Sequence, residues 1–444
     1  MNRRTFLRTS AAGVAAGAVA PLLATRALGA ADKIVVGFMG AGGRGTQVAT
    51  EITALPGVEI AWVCDADATR AANAATALEQ KTGKRPKTTQ DFREVLDDKG
   101  VHALFNTTPD HWHALPTVLA CQAGKDVYVE KPASHNIWEG RQMIKAARKY
   151  NRVVQVGLQN RSAPSVAAAV DYIRSGKLGR VHFVRVLNMK PRGALPRRPD
   201  AEPPKSLDYD RWLGPAPKRP YNPNRCHGGW YWYWDYSGGD IVCDGVHQMD
   251  IARWLIGRTV PKFAVATGGR YLFDDDPDTP DTQAVLYDYG DLTLQFDLAL
   301  WTPYLKKIPM SIRMSDTEFP DWMFCATRVE VYGEKGLMMM GRHGGGWHVY
   351  GPDTKLVDKL KGKFPAVPHY ENFFDCVRTR KKPNGDIEEG HLSAVLCHMG
   401  NLSLRVGGRR LQYDGGKELF VGDDEANALT KRVGREPYRM PDEV

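Results

Sequence analysis

Two rhythms of apolar and polar positions divide the chain. From residue 33 to residue 157, short apolar runs alternate with stretches whose apolar positions recur every three or four residues. That is the rhythm of buried strands separated by amphipathic helices. Strands are expected at 33–39, 59–64, 103–106, 126–129 and 153–157, and helices at 46–53, 68–82, 92–96, 116–124 and 137–150. Strict alternation of the two predicts a parallel sheet covered by helices. After residue 158 the pattern changes. A helix at 166–173 and an alternating strand at 181–187 lead into a long Pro- and Arg-rich loop at 190–225. Segments at 260–268, 282–289, 292–300 and 328–332 are then spaced by Gly and Asp turns like an antiparallel sheet, and helices at 370–379 and 391–404 close the chain. The expected fold is α/β: a parallel-sheet domain over 31–157, then an α+β domain over 158–444 with a large, mostly antiparallel sheet.

The first strand passes directly into Gly40-Ala41-Gly42-Gly43-Arg44-Gly45 and a helix. Gly40 would allow the tight turn, Gly42 the close approach of a pyrophosphate, and Gly45 the packing of helix on strand, with phosphate at the helix N-terminus. These features predict a Rossmann dinucleotide site. Asp65 ends the second strand, 25 residues after Gly40. An acid there accepts hydrogen bonds from the adenosine ribose and repels a 2′-phosphate, which favours NAD; Arg44 and Arg70 leave NADP open. The loop after the 103–106 strand opens at the carboxyl edge of the sheet, where such folds bind ligands. Thr108, Pro109, Asp110 and His113 are its candidate cofactor contacts. His111 and His113 have no third ligand nearby, so no metal is expected. The strand at 126–129 ends in Glu130-Lys131-Pro132. A charged pair at the tip of a buried strand, where a proline turns the chain, points to a cleft.

In that order and spacing, Gly40-x-Gly42-x-x-Gly45, Asp65, Thr108-Pro109-Asp110-x-x-His113 and Glu130-Lys131-Pro132 resemble the glucose-fructose oxidoreductase, inositol dehydrogenase and MocA (Gfo/Idh/MocA) family of NAD(P)-dependent enzymes. The resemblance covers about residues 33–440. It implies that Lys131 reaches both nicotinamide and substrate hydroxyl, and that Gln159, Asn160 and Arg161 lie close to the nicotinamide. It also implies a homo-oligomer.

In the second half, Trp230 to Tyr236 is a nearly unbroken aromatic run and is expected to form a strand with rings on both faces. Such rings stack on the apolar faces of sugars or pack in a core; under the first reading Trp232 and Trp234 contact substrate. Residues 240–255 read as a helix with an apolar stripe, while Asp240, Cys243, Asp244, His247 and Asp250 share another face. Asp240 and Arg161 are further candidate substrate contacts. His247, with an acid one turn away, is positioned as an oriented base. The family's usual pattern has an acid four residues before this His, where this chain has Cys243, with Asp244 one step later. The expected reaction is hydride transfer between a sugar or polyol carbinol carbon and C4 of a nicotinamide. His247 would take the hydroxyl proton, Asp244 orient His247, and Lys131, its pKa lowered by partial burial and the cofactor's charge, polarise the same oxygen or relay the proton. Two alternatives stand beside it: a glycosidase or glycoside lyase that recycles a tightly bound NAD, and a carbohydrate-binding protein without catalysis.

Composition adds compartment and partners. With 43% hydrophobic and 25% charged residues, the 444-residue chain is globular and long enough for two domains. Asn2-Arg3-Arg4-Thr5-Phe6-Leu7-Arg8, a small apolar run at 11–24 and small residues to Ala30 describe an export signal of the twin-arginine type. The expectation is a folded, cofactor-loaded protein delivered to the periplasm or another extracytoplasmic space, with no stable membrane span after signal removal. Loss of residues 1–30 lowers the formal charge from +9 to +5. The remaining Lys and Arg are scattered among acids, so no nucleic-acid partner is expected. Seven cysteines without a Cys-x-x-Cys pair predict small buried hydrophobes rather than a disulfide framework.

Overall fold

In the computed structural model, which describes residues 33–444, six strands form the first sheet: β1 (Ile34–Met39), β2 (Val58–Cys64), β3 (Lys87–Thr89), β4 (Ala103–Asn106), β5 (Asp126–Val129) and β6 (Val154–Val156). Residues 1–30, the expected signal, lie outside the described residues. The strand order is β3-β2-β1-β4-β5-β6 and every pairing is parallel. The order reverses between β1 and β4, the switch point at which doubly wound sheets open a ligand crevice. Helices α1 (Gly43–Ile52), α2 (Ala68–Thr82), α3 (Phe92–Asp97), α4 (Ala114–Gln122) and α5 (Ile137–Lys149) make the crossovers. Their starts follow local chemistry: Asp67, Asp91 and Asn136 each accept a backbone N–H of the first turn of α2, α3 and α5.

Helix α6 (Pro164–Arg174) leads to a ten-stranded sheet built from β7 (Val181–Met189), β8 (Phe263–Gly269), β9 (Thr282–Asp288), β10 (Thr293–Ala299), β11 (Arg328–Gly333), β12 (Gly336–Gly341), β13 (Gly346–Tyr350), β14 (Leu356–Leu360), β15 (Leu411–Asp414) and β16 (Leu419–Phe420). Their order is β14-β13-β12-β11-β7-β10-β9-β8-β15-β16. Among these neighbours β7 and β10 run parallel and the other pairings are antiparallel. Strands β12 to β14 were not expected: the unbroken Leu337-Met338-Met339-Met340 run hides the period of two, and β14 is mostly exposed.

Beyond the short helix α9 (Met310–Met314), the end of the chain returns to the first sheet. Helix α10 (Ala366–Thr379) sets Phe373 and Phe374 on Phe105 of β4, with ring centroids 5.4 and 5.8 Å apart. Helix α11 (Ile387–Arg405) starts against β6, where Gly390 leaves room for Val156. Among the described residues no helix is long and apolar enough to cross a membrane. All seven cysteines are free thiols, six buried and Cys243 partly exposed.

The aromatic run is not a strand. Trp230–Trp232 makes one tight helical turn, and the Trp232 carbonyl accepts the N–H groups of Asp278 and Thr279 instead of joining a ladder. The long loop before it is not free either. Ser206 and Asp208 bond the backbone of Ala68 and Ala66, and the short helix α7 (Tyr209–Leu213) presents the Trp212 carbonyl to the Trp112 indole N–H at 3.0 Å. The loop is thereby fastened along the open edge of the first domain.

Because Phe373 is fully buried against Phe105 and Tyr128, Phe373→Ala is expected to destabilise the protein by about 3–5 kcal/mol. Urea unfolding measures this; a loss below about 1 kcal/mol would show that α10 does not cap the first sheet.

Candidate active site

The glycine loop has the steric form its spacing predicts. Gly40 sits at φ +93°, and a Cβ there would lie 2.7 Å from the Thr107 backbone. A Cβ on Gly45 would stand 1.9 Å from the Gly40 carbonyl oxygen, so only glycine lets α1 approach β1 this closely. At Gly43 a side chain would meet nothing, and at Gly42 only the Arg70 guanidinium. Helix α1 begins here with no side-chain cap, leaving its N-terminus to an anion. The Asp65 carboxylate accepts the N–H of Ala41 at 2.7 Å and of Asp67 at 2.9 Å, which fixes the loop. Burial raises its pKa, and those two bonds oppose the shift.

The loop faces an open cleft of about 930 Å³, solvent at its mouth included, lined by Gly40, Gly42, Arg44, Asp65, Thr108 and Pro109 from the first domain and by Arg211, Trp212, His227 and Trp230 from the long loop and the aromatic turn. The last four were not anticipated, since nothing local in their sequence ties them to a nucleotide site. Pairing of the loop with residues 66–68 brings them in, and His227 bonds Asp67 at 3.0 Å.

Two expected cofactor contacts are structural instead. His113 is buried, with Nδ1 2.6 Å from the Pro132 carbonyl oxygen and Nε2 2.9 Å from that of Thr108. It braces the turn after Lys131 against the 107–113 loop and does not line the cleft. Asp110 is also buried and accepts the Ser237 hydroxyl; burial raises its pKa. His111 points away, bonding the Trp212 carbonyl, and burial pulls its pKa down to about 3.

At the tip of β5, Glu130 pairs with the Arg44 Nε at 2.9 Å. Burial opposes its charge, yet Arg44 and Lys131 hold the carboxyl below the ordinary range. The Lys131 ammonium donates to the carbonyl of Cys243 in the second domain. Among the protein's own groups, burial lowers its pKa, but Cys243, Asp110 and Glu130 outweigh burial and raise the value. Lys131 is therefore a fixed cation.

The segment carrying Cys243 is a wide helical turn, Ile241–Gly245, that runs into α8 (Val246–Ile256). His247 is buried, its ring centroid 4.5 Å from that of His343, and its Nδ1 has no partner. Burial, then His343, Arg342 and Lys131, hold its pKa well below the usual histidine value. Asp244 does not orient His247. Its carboxylate is taken by Lys190, by Arg342 at 2.6 Å and by Lys307 at 3.2 Å. Asp240 is likewise internal, paired with Lys190 at 2.6 Å and Arg192 at 3.3 Å. The shared helix face does gather charge, but cations from other elements claim it.

The remaining candidates separate. Arg161 is held in the interior by Asp250 and Glu389, so its guanidinium does not present itself to a substrate. The Asn160 side-chain oxygen accepts the N–H of His343 at 2.7 Å and so positions the second histidine; Gln159 packs against Tyr128. Trp232 lies under the Arg192 guanidinium at 5.5 Å. Trp234 lines a different cleft with Arg405 and His135 and cannot join Trp232 at one ligand. His348 is bound to Trp322 and Tyr350.

Comparison with known proteins agrees with this geometry. Residues 34–158 match the profile described as "Oxidoreductase family, NAD-binding Rossmann fold", and residues 194–265 and 337–440 match "Oxidoreductase family, C-terminal alpha/beta domain", both of the Gfo/Idh/MocA group. The chain belongs to the Gfo/Idh/MocA oxidoreductase family, and its first domain is an NAD-binding Rossmann domain. The glycine cradle and the uncapped α1 fit that cofactor. The chain is 25% identical to scyllo-inositol 2-dehydrogenase (NAD(+)) of Bacillus subtilis over 341 residues, 75% of this chain and 82% of that one. It is 32% identical to a glycosyl hydrolase family 109 protein of Saccharopolyspora erythraea over 204 residues, 41% of this chain and 44% of that one. For several curated relatives the match spans about half their length. Levoglucosan dehydrogenase, solved in complex with NADH and levoglucosan, shares the fold with a TM-score of 0.62 at 16% identity, covering 86% of this chain and 98% of that one.

With the Asp65 carboxylate lining the cleft at the end of β2, NADP is expected to bind at least about 10-fold more weakly than NAD, and Asp65→Ala to narrow that ratio. Calorimetric titration of both nucleotides checks this; tighter binding of NADP by the unaltered protein would contradict it.

Proposed function

We propose that the protein is an NAD-dependent oxidoreductase acting on a CH–OH group of a sugar or polyol. The observation that carries the reading is the hydrogen bond from the Lys131 ammonium of the Rossmann domain to the Cys243 carbonyl, four residues before His247 in the second domain. Bound NAD supplies the hydride acceptor. Lys131, a fixed ammonium, binds the substrate oxygen and stabilises the negative charge that grows on it as the proton leaves. His247, neutral at pH 7 and with a free ring nitrogen, accepts that proton. Its ring is packed by His343, which Asn160 positions. The C–H electron pair leaves as hydride, the O–H proton goes to His247, and the carbinol becomes a carbonyl.

A second reading is favoured by the similarity to the glycosyl hydrolase family 109 protein: oxidation of a glycoside, loss of the aglycone, and re-reduction on the same cofactor. Protein that releases aglycone with no added acceptor supports it; turnover that stops without an acceptor supports the dehydrogenase.

The residue pattern at 2–30 supports twin-arginine export to an extracytoplasmic compartment. Exposed Trp301, Tyr304, Met310, Met323 and Phe324 support a homo-oligomer. Cell fractionation and light scattering of the purified protein test the two; uncleaved chain confined to cytoplasm, or a monomer at micromolar concentration, contradicts them.

Lys131→Ala is expected to lower kcat/KM by about 10²- to 10⁴-fold while bound NAD is retained; near-normal turnover would refute the role. The pH profile tests His247 separately. A depressed pKa keeps the base unprotonated down to and below the ordinary value of about 6.5, so oxidation should lose rate only at more acidic pH. An acid limb centred above pH 7 would contradict this assignment.

A further inference from the structure

Beside the reacting centre the charges do not balance. Three cations, Arg192, Lys307 and Arg342, together with Lys190, whose pKa burial pulls well below the ordinary lysine value, share two carboxylates, Asp240 and Asp244. Arg313 adjoins them and makes no ion pair among the described residues. The Nε atoms of Arg192, Arg313 and Arg342 are buried without an acceptor. Burial, then repulsion from Arg342 and Arg192, push Lys307 down to about 8, and burial followed by Arg342 takes Arg313 down to about 10, while Asp240 raises Arg192 against its burial.

The cluster touches the catalytic groups through adjacent residues. Asp244, which collects three of these side chains, follows Cys243, whose carbonyl receives Lys131. Arg342 precedes His343, the ring packed on His247. Arg342 is almost wholly buried, whereas the Lys307 side chain is 40% exposed, so the cluster opens to solvent at Lys307.

Unpaired guanidinium N–H groups and surplus buried charge are costly, and a neutral sugar would leave both unrelieved. An anion would accept the free donors and offset the repulsion. We propose that the substrate is an anionic sugar whose carboxylate or phosphate seats among Lys307, Arg342 and Arg192 while its hydroxyl meets Lys131 and His247. The inference rests on the site assigned above and adds the substrate's charge class.

Calorimetry on the NAD-loaded protein tests it. D-glucuronate, D-galacturonate and D-glucose 6-phosphate are titrated against D-glucose and D-galactose. At least one acid is expected to bind 10-fold or more tightly than its neutral parent, and the carboxylate and phosphate arms separate the two sources of charge. Lys307→Met is expected to weaken that acid at least 10-fold and leave NAD affinity as it was. Neutral parents binding as tightly as the acids, no acid binding at all, or an unchanged acid affinity in the variant would each overturn the proposal. Absorbance of reduced nicotinamide keeps the two readings apart. Selective acid binding without reduction overturns hydride transfer and leaves the anion seat standing; equal kcat/KM for neutral sugars and acids does the reverse.

Discussion

The hydrogen bond from the Lys131 ammonium to the Cys243 carbonyl is the contact on which the site depends. It joins the tip of β5 in the first domain to the turn before α8 in the second. A charged nitrogen can be held there because Glu130 stands beside it and Arg44 in turn holds Glu130. The chain of charges runs from the glycine loop to the second domain without leaving an isolated buried ion, the condition under which buried charge is tolerated. Arg44 of the glycine loop thus holds, through Glu130, the group proposed to meet the substrate.

Electrostatics then divides the labour between the two titratable groups. Negative neighbours keep Lys131 protonated, whereas burial and positive neighbours keep His247 neutral. One residue is a permanent donor and the other a ready acceptor, which is the separation that moving a proton off a hydroxyl requires. The acid expected to orient His247 is absent from that role because Lys190 is buried and needs both Asp240 and Asp244 as counter-ions. Packing against His343 holds the imidazole in its place.

Much of this was legible in the chain because local rules dominate in the first domain. Buried parallel strands are continuous apolar runs, and a glycine that must be glycine announces itself by spacing; Gly40, Gly45 and Asp65 lie where the spacing put them. The second half was harder to read. The aromatic turn at Trp230–Trp232 is held by residues 278–279, and the cleft walls Arg211, Trp212 and His227 are delivered by loop pairing with residues 66–68. Such contacts link positions far apart in the chain and leave no period to detect. His113 and Arg161 show the converse error. Their types suit a ligand, but each has partners inside the fold that only three-dimensional placement reveals.

Under the proposed function a carbinol hydrogen passes to the nicotinamide at a site made by Lys131 and His247. Transfer of isotope tests it most directly: NAD-loaded protein is incubated with sugars carrying deuterium on each carbinol carbon in turn, and the nucleotide is recovered for mass spectrometry. The account predicts that one labelled position delivers its deuterium to the nicotinamide ring. Consumption of sugar with no label in the nucleotide from any position would contradict it.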